Sequence, residues 1–264
     1  SMNWRIKELD HRAIVSFSDA HSGPKLGREA TVFDVPDEKL SYEAVYQAIV
    51  NTARGDKNFF DPLLPSTRFA RSGQAPETEQ ARVYPGRSSG KRSSKILSPL
   101  ASQLKICRIA YTIEFYPEEG KYHWSGHRAC GVRWGPAETA AKGTTCPVCG
   151  KPLTQGVEQR VNQLASRSEA ELKLVSMRQR INASEAEVTM TKSETFPNRP
   201  PFVMLVPLQE IISECIGSPV ASPKVQGPYT MLTDALGGEF NVLLQASIDE
   251  IANVVGDRIA QGVD

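Results

Sequence analysis

Two short turns constrain this chain more than anything else in it: His127-Arg-Ala-Cys130-Gly131 and, after fifteen intervening residues, Cys146-Pro-Val-Cys149-Gly150. Each places two soft or borderline donors two residues apart and follows them with glycine, which lets the backbone turn tightly beneath an ion. Three thiolates and one imidazole make a full tetrahedral zinc set. A closed set leaves no position for water, so the ion implied is structural Zn2+ and not a catalyst. His123 competes with His127 for the histidine place; His127 is favoured because its turn mirrors the second one. A redox Cys-x-x-Cys pair is the competing reading, and the matching His-x-x-Cys speaks against it. Cys107 and Cys215 fall outside the pattern and are expected to be core cysteines.

An odd count of five cysteines, two of them in the Cys-x-x-Cys turn, fits metal binding in a reducing compartment, and a cytoplasmic location is expected. "SMNWRIKELD" has no signal-peptide core, and no apolar run of about 18 residues exists, so no membrane partner is expected. The net charge of the 264 residues is only +1, but residues 51–105 carry ten Lys/Arg against four Asp/Glu. Such a concentrated basic stretch suits a polyanion, or else is a solvated loop. Within it "GRSSGKRS" is one residue short of a phosphate-binding loop, has Arg92 in place of Ser/Thr, and follows no strand.

The patterning predicts an α+β chain in four segments. Residues 1–50 read as helix, strand, loop and helix, with Ala13–Phe17 as a short buried strand, "ATVFD" as an extended piece, and Ser41 capping "SYEAVYQAIV". Residues 51–110 are a basic Ser/Pro/Gly-rich insertion or linker, up to the strand-like "ICRIAYTIEFYP" at 106–117. Residues 111–160 hold the zinc ribbon. Residues 161–264 are read as a helical C-terminal region. Its tail offers three helical candidates, "PLQEIISECIG", "KVQGPYTMLTDALG" and "SIDEIANVVGDRIAQGV". The last has a capping box, Ser247 with Glu250, and a helix–Gly256–helix rhythm like half of a helix-hairpin-helix. Gly256 and Arg258 are therefore candidate DNA-phosphate contacts; a plain helical bundle is the competing reading.

Asp19 and His21 stand just past the expected strand. Side chains at i and i+2 of a strand point the same way, so both could reach one divalent ion, which Zn, Mn or Fe would suit. Two ligands do not complete a centre.

The stretch "NWRIKELD…VSFSDAHSGPKLGREATVFD…LSYEAVYQAI" resembles the final segment of a polymerase-and-histidinol-phosphatase (PHP) domain, and more narrowly that of the endonuclease Q family of DNA repair endonucleases. The likeness resumes at "TIEFYPEEGKYHWSGHRACGV", "CPVCGKPLTQGVEQRVNQLA", "PFVMLVPLQEII" and "GGEFNVLLQASIDEIANVVGDRIAQGV". It implies a metal-dependent nuclease that hydrolyses a phosphodiester beside deaminated or abasic lesions. Asp19 and His21 match the family's last metal-binding motif and become its catalytic ligands, for Zn2+, Mn2+ or Mg2+. Lys25 and Arg28 would hold the DNA backbone. The family's earlier ligands are expected upstream of Trp4, so the chain is expected to be a C-terminal portion whose nuclease centre is incomplete and inactive by itself. The other reading is a stand-alone zinc-ribbon DNA-binding module without catalysis, and a third is an interaction protein whose basic stretch folds onto an acidic partner.

Overall fold

The computed structural model describes residues 2–21, 23–35, 40–54, 107–181 and 186–263. Most of the basic stretch, including "GRSSGKRS", lies outside the described residues. The chain runs β1 (Ala30–Asp34), α1 (Tyr42–Arg54), β2 (Arg108–Glu114), β3 (Ser125–His127), β4 (Val132–Trp134), α2 (Pro136–Lys142) and α3 (Val157–Leu164). It continues through β5 (Leu174–Arg180), β6 (Glu187–Ser193), β7 (Phe202–Met204), α4 (Leu208–Ile216), α5 (Pro223–Leu236), α6 (Glu239–Leu244), α7 (Ile248–Val255) and α8 (Asp257–Val263).

Five strands form one mixed sheet in the order β1-β2-β7-β6-β5. β2 pairs antiparallel with β1 and parallel with β7, and β6 pairs antiparallel with β7 and β5. The sheet therefore joins strands from before and after the ribbon. β2 lies inside it, and Ile109, Tyr111 and Ile113 are all buried, as β-branched and aromatic alternation requires. Tyr111 and Ile113 share a core with Val188, Met190, Val203 and Leu244. At the other end of β2, Cys107 packs with Ala44 and Ala48 of α1, whose first turn is capped by Ser41 accepting from the Ala44 N–H at 3.2 Å.

The expected strand at Ala13–Phe17 does not form; these residues are extended coil, with Phe17 mostly exposed. They run beside edge strand β1, but only through a side chain. Thr31 Oγ1 accepts from the Ser16 N–H at 2.8 Å and donates to the Ser16 carbonyl at 2.9 Å. A threonine hydroxyl takes the place of a backbone ladder there.

Residues 161–264 are not helical throughout. Their first half supplies β5, β6 and β7, and in β6 Val188 and Met190 point inward at period two. From Leu208 onward five helices appear among the described residues: the third candidate divides at Gly256, as its helix–Gly–helix rhythm leads one to expect, and only α6 lies outside the candidate stretches. Leu208, Ile212, Val225, Leu232, Val242, Ile251, Ile259 and Ala260 build their common core. The predicted capping box is present, with Ser247 N–H donating to Glu250 at 2.8 Å and Glu250 N–H donating to Ser247 Oγ at 3.3 Å.

The N-terminal residues close over the sheet. Trp4 packs edge-on against Phe202 at 5.4 Å, and Asp10 accepts from both Arg167 and Arg199. No helix among the described residues is long and apolar enough to cross a membrane.

Candidate metal centre

Between β2 and β5 the chain builds a small ribbon. β3 and β4 pair antiparallel, Ser125 opposite Trp134 and His127 opposite Val132. Gly126 also exchanges hydrogen bonds with Thr154 at 2.9 and 2.8 Å, which brings the second cysteine turn alongside the first. Gly156 lets this third piece approach: a Cβ there would sit 2.4 Å from Ser125 N and 2.5 Å from the His123 carbonyl oxygen. Gly131 and Gly150 both adopt the left-handed backbone that closes each turn, at φ 67° and 70°. In the second turn the Gly150 N–H donates to Cys146 O at 2.9 Å, and the Cys146 N–H donates to Lys151 O at 2.8 Å.

The donor atoms of His127, Cys130, Cys146 and Cys149 all lie within 4.8 Å of one another. Cys149 Sγ is 3.3 Å from His127 Nδ1. Around a tetrahedral zinc, sulfur at about 2.3 Å and nitrogen at about 2.0 Å are separated by about 3.5–3.8 Å. The four side chains therefore fit a metal ion such as zinc. Cys146 is buried and Cys149 exposed, so the cluster lies at the ribbon's surface. Burial raises the Cys146 thiol, but backbone N–H groups of Cys149 and Val148, with His127, outweigh it and bring it to about 6. Cys130 is pushed up to about 11 by desolvation and by its two cysteine neighbours. Thiols crowded this closely resist ionising together unless a cation neutralises them. His123 points elsewhere. It is buried edge-on against Trp124 with Nε2 3.5 Å from Glu158, outside the cluster.

Asp19 and His21 are exposed and belong to no cluster of potential metal ligands among the described residues. Asp19 adopts φ 45°, so the two side chains do not share a strand face. His21 Nδ1 instead lies 2.8 Å from the Asp19 carbonyl oxygen. Lys25 and Arg28 are already engaged with carboxylates: Lys25 Nζ is 3.0 Å from Glu210, and Arg28 is 3.6 Å from Glu119 and 4.0 Å from Glu210. Arg28 also lies 4.2 Å over the Phe115 ring. Gly256 separates α7 from α8 at φ 85°, and its N–H donates to Ala252 O at 2.8 Å, so that amide is taken. Arg258, in the first turn of α8, is exposed.

Two features escaped sequence reading. Arg167 and Arg199 converge on Asp10 from positions more than a hundred residues away, and no local pattern signals them. Arg128 and Arg133 lie over Tyr122 and Trp124, a pairing that the mixture of aromatic and basic residues in "KYHWSGHR…VRW" could have suggested.

A mixed sheet, a Cys/His ribbon whose donors could hold a metal and a helical tail define the chain as an α+β protein with a candidate metal site. Its fold is similar to that of the lesion-specific endonuclease PfuEndoQ from Pyrococcus furiosus, with TM-score 0.60 and 22% identity, covering 99% of this chain and 46% of that one. It is equally similar to Endonuclease Q in complex with a 27-mer duplex substrate carrying an abasic lesion at the active site, with TM-score 0.61, 22% identity, and coverage of 99% and 47%. Residues 207–264 match the family described as MJ0043 C-terminal domain. The uncharacterized protein MJ0043 of Methanocaldococcus jannaschii is 28% identical over 138 residues, 52% of this chain and 14% of that protein. The chain thus spans less than half the length of the proteins it matches.

Proposed function

We propose that this chain is part of a metal-dependent DNA repair endonuclease of the endonuclease Q kind, acting on a phosphodiester beside deaminated or abasic lesions. The observation that carries the proposal is the fold likeness over 99% of the chain to an endonuclease whose complex holds lesion-bearing duplex DNA. In this reading His127, Cys130, Cys146 and Cys149 hold a structural zinc, and Arg258 faces DNA phosphates. Asp19 and His21 are the last ligands of a PHP metal centre whose other ligands come from an upstream PHP segment. A divalent ion there supplies activated water and charge neutralisation. This chain's part is to present the Asp19 carboxylate and Nε2 of His21, whose Nδ1 is engaged by the Asp19 carbonyl. Lys25 and Arg28 hold their loop in place, in addition to any DNA contact.

The test uses the purified chain with Mn2+, Mg2+ or Zn2+ and a uracil- or abasic-containing duplex. Little or no nicking is expected from the chain alone. Nicking is expected when the upstream segment is supplied, and Asp19→Asn or His21→Ala should abolish it. Robust nicking by the chain alone refutes the incomplete centre, and no nicking by the completed protein refutes the assignment.

A second reading, a zinc-ribbon DNA-binding module without catalysis, draws on the isolation of Asp19 and His21 from other ligands among the described residues. It predicts salt-sensitive DNA binding that ignores lesions and is unchanged by loss of either residue.

A further inference from the structure

We propose that the outer face of the ribbon binds unpaired nucleotides of single-stranded DNA, stacked against guanidinium planes that Tyr122 and Trp124 hold in position. The inference rests on the DNA-binding reading above and adds where, and to what form of DNA, the ribbon binds.

The arginines of the described structure differ in what they face. Arg28, Arg167 and Arg199 are each matched to a carboxylate. Arg128 and Arg133 are exposed, have no carboxylate within ion-pair reach among the described residues, and lie over aromatic rings at 4.7 and 4.9 Å. Lys121, also unpaired there, is 6.0 Å from the Tyr122 ring centre. Arg128 is fixed further by donating to the Lys121 carbonyl oxygen at 3.0 Å. Tyr122 itself is 55% exposed. These groups come from the residues just before β3, the turn between β3 and β4, and the middle of β4. Arg133 stands opposite Gly126, which offers no side chain to cover it.

Attracting a phosphate needs only a mobile lysine. A guanidinium laid on a ring has already lost rotamer freedom, and its open face is planar and weakly hydrated. That face suits a nucleobase with a free π surface. Bases within a duplex are stacked on each other and present none; unpaired bases do. The two guanidiniums themselves, with Lys121 beside Tyr122, supply the charge complement for the connecting phosphates.

The experiment measures fluorescence anisotropy of the full 264-residue chain with a short oligothymidylate and with a duplex of equal length. Arg128→Lys with Arg133→Lys keeps the charge and removes the planes; Tyr122→Leu removes one platform and leaves every charge. Either change should weaken single-strand binding by about tenfold, within the range found for base–aromatic stacking. Duplex affinity and the salt dependence of binding should be unchanged. Zinc content and the melting transition must match the parent chain, which separates lost contacts from a lost fold. Equal weakening on both probes, or none on either, overturns the inference. So does displacement of oligothymidylate by polyglutamate at the same charge concentration, which would mark an unselective cationic patch. Binding of duplex but not of single strands sinks this inference and spares the DNA-binding reading; binding of neither sinks both.

Discussion

Replacing Cys146 by serine should release the ribbon's metal and unfold residues 120–160 while leaving the tail folded. The two regions differ in what holds them. From residue 115 to 165 only Cys146 and Val161 are buried apolar side chains, accompanied by the polar His123, Ser125 and Thr139. The tail buries Leu208, Ile212, Val225, Leu232, Val242, Ile251, Ile259 and Ala260 in a single cluster. Burying one valine contributes about 2 kcal/mol, whereas ordering each residue's backbone costs about 1–2 kcal/mol. The ribbon therefore has no core to fall back on. A structural zinc in a small finger contributes about 10–16 kcal/mol at neutral pH, enough to decide whether the module is ordered. Serine leaves a hydroxyl that stays protonated and donates no thiolate, and Cys146 is the buried member of the set. Metal analysis should show the loss of about one zinc per chain relative to the parent. Hydrogen exchange should lose protection at Gly126, Thr154 and Val157, whose N–H groups bond across the ribbon at 2.8–2.9 Å, and keep it at Ile251 and Ala260. Retained protection across the ribbon after the metal has gone would refute the reasoning.

Gly156→Ala should also loosen the ribbon, because its Cβ meets rigid backbone at 2.4 Å; a loss of about 2 kcal/mol or more by thermal melting is expected, with weaker zinc retention. Asp10 is held below the usual carboxylate range by its hydrogen bond to Arg167, against the effect of burial, with Arg199 adding to the shift. Because the folded value is depressed, Asp10 stabilises the N-terminal segment at neutral pH, and this is lost as the pH falls below about 4 through the folded value. Asp10→Asn should lower stability at pH 7 and bring the two proteins together at acid pH, as followed by Trp4 fluorescence; a difference independent of pH would refute the charge argument.

What could be read from sequence was what is local in sequence. The ligand turns were legible because a metal forces its donors into tight loops, and Gly131 and Gly150 take the backbone conformation those loops need. The tail helices were legible from their apolar period and from the Ser247–Glu250 box, and α1 from its Ser41 cap. The β5–β6 hairpin was not: its strands "LVSMRQR" and "EVTMTKS" alternate, but with methionine and polar residues in place of a β-branched run. "AIVSF" misled in the opposite sense, since apolar composition says nothing about whether a partner strand is free to bond its backbone. The partners of Lys25 and Arg28 were out of reach altogether, because Glu210 is 185 residues from Lys25 and no period connects them.

Those long-range pairs change what the Asp19–His21 loop means. Lys25 joins it to Glu210 on α4, Arg28 joins it to Glu119 at the ribbon's entrance, and Gly27 lies close beneath Phe240 of α6, where a Cβ would come within 3.3 Å of the ring. The loop is therefore seated between the tail and the approach to the ribbon, and Asp19 and His21 are exposed on it. The basic residues behind the motif serve first as anchors. Arg28→Met separates anchoring from stability: the exposed parts of such pairs contribute about 0–1 kcal/mol each, so global unfolding should move by little more than that. Exchange at residues 23–29 should nevertheless rise, because Arg28 alone ties the loop to both Glu119 and Glu210. Unchanged exchange in that segment would show that Lys25 and the Gly27–Phe240 contact hold the loop without it, and Arg28 would then be free for a different partner.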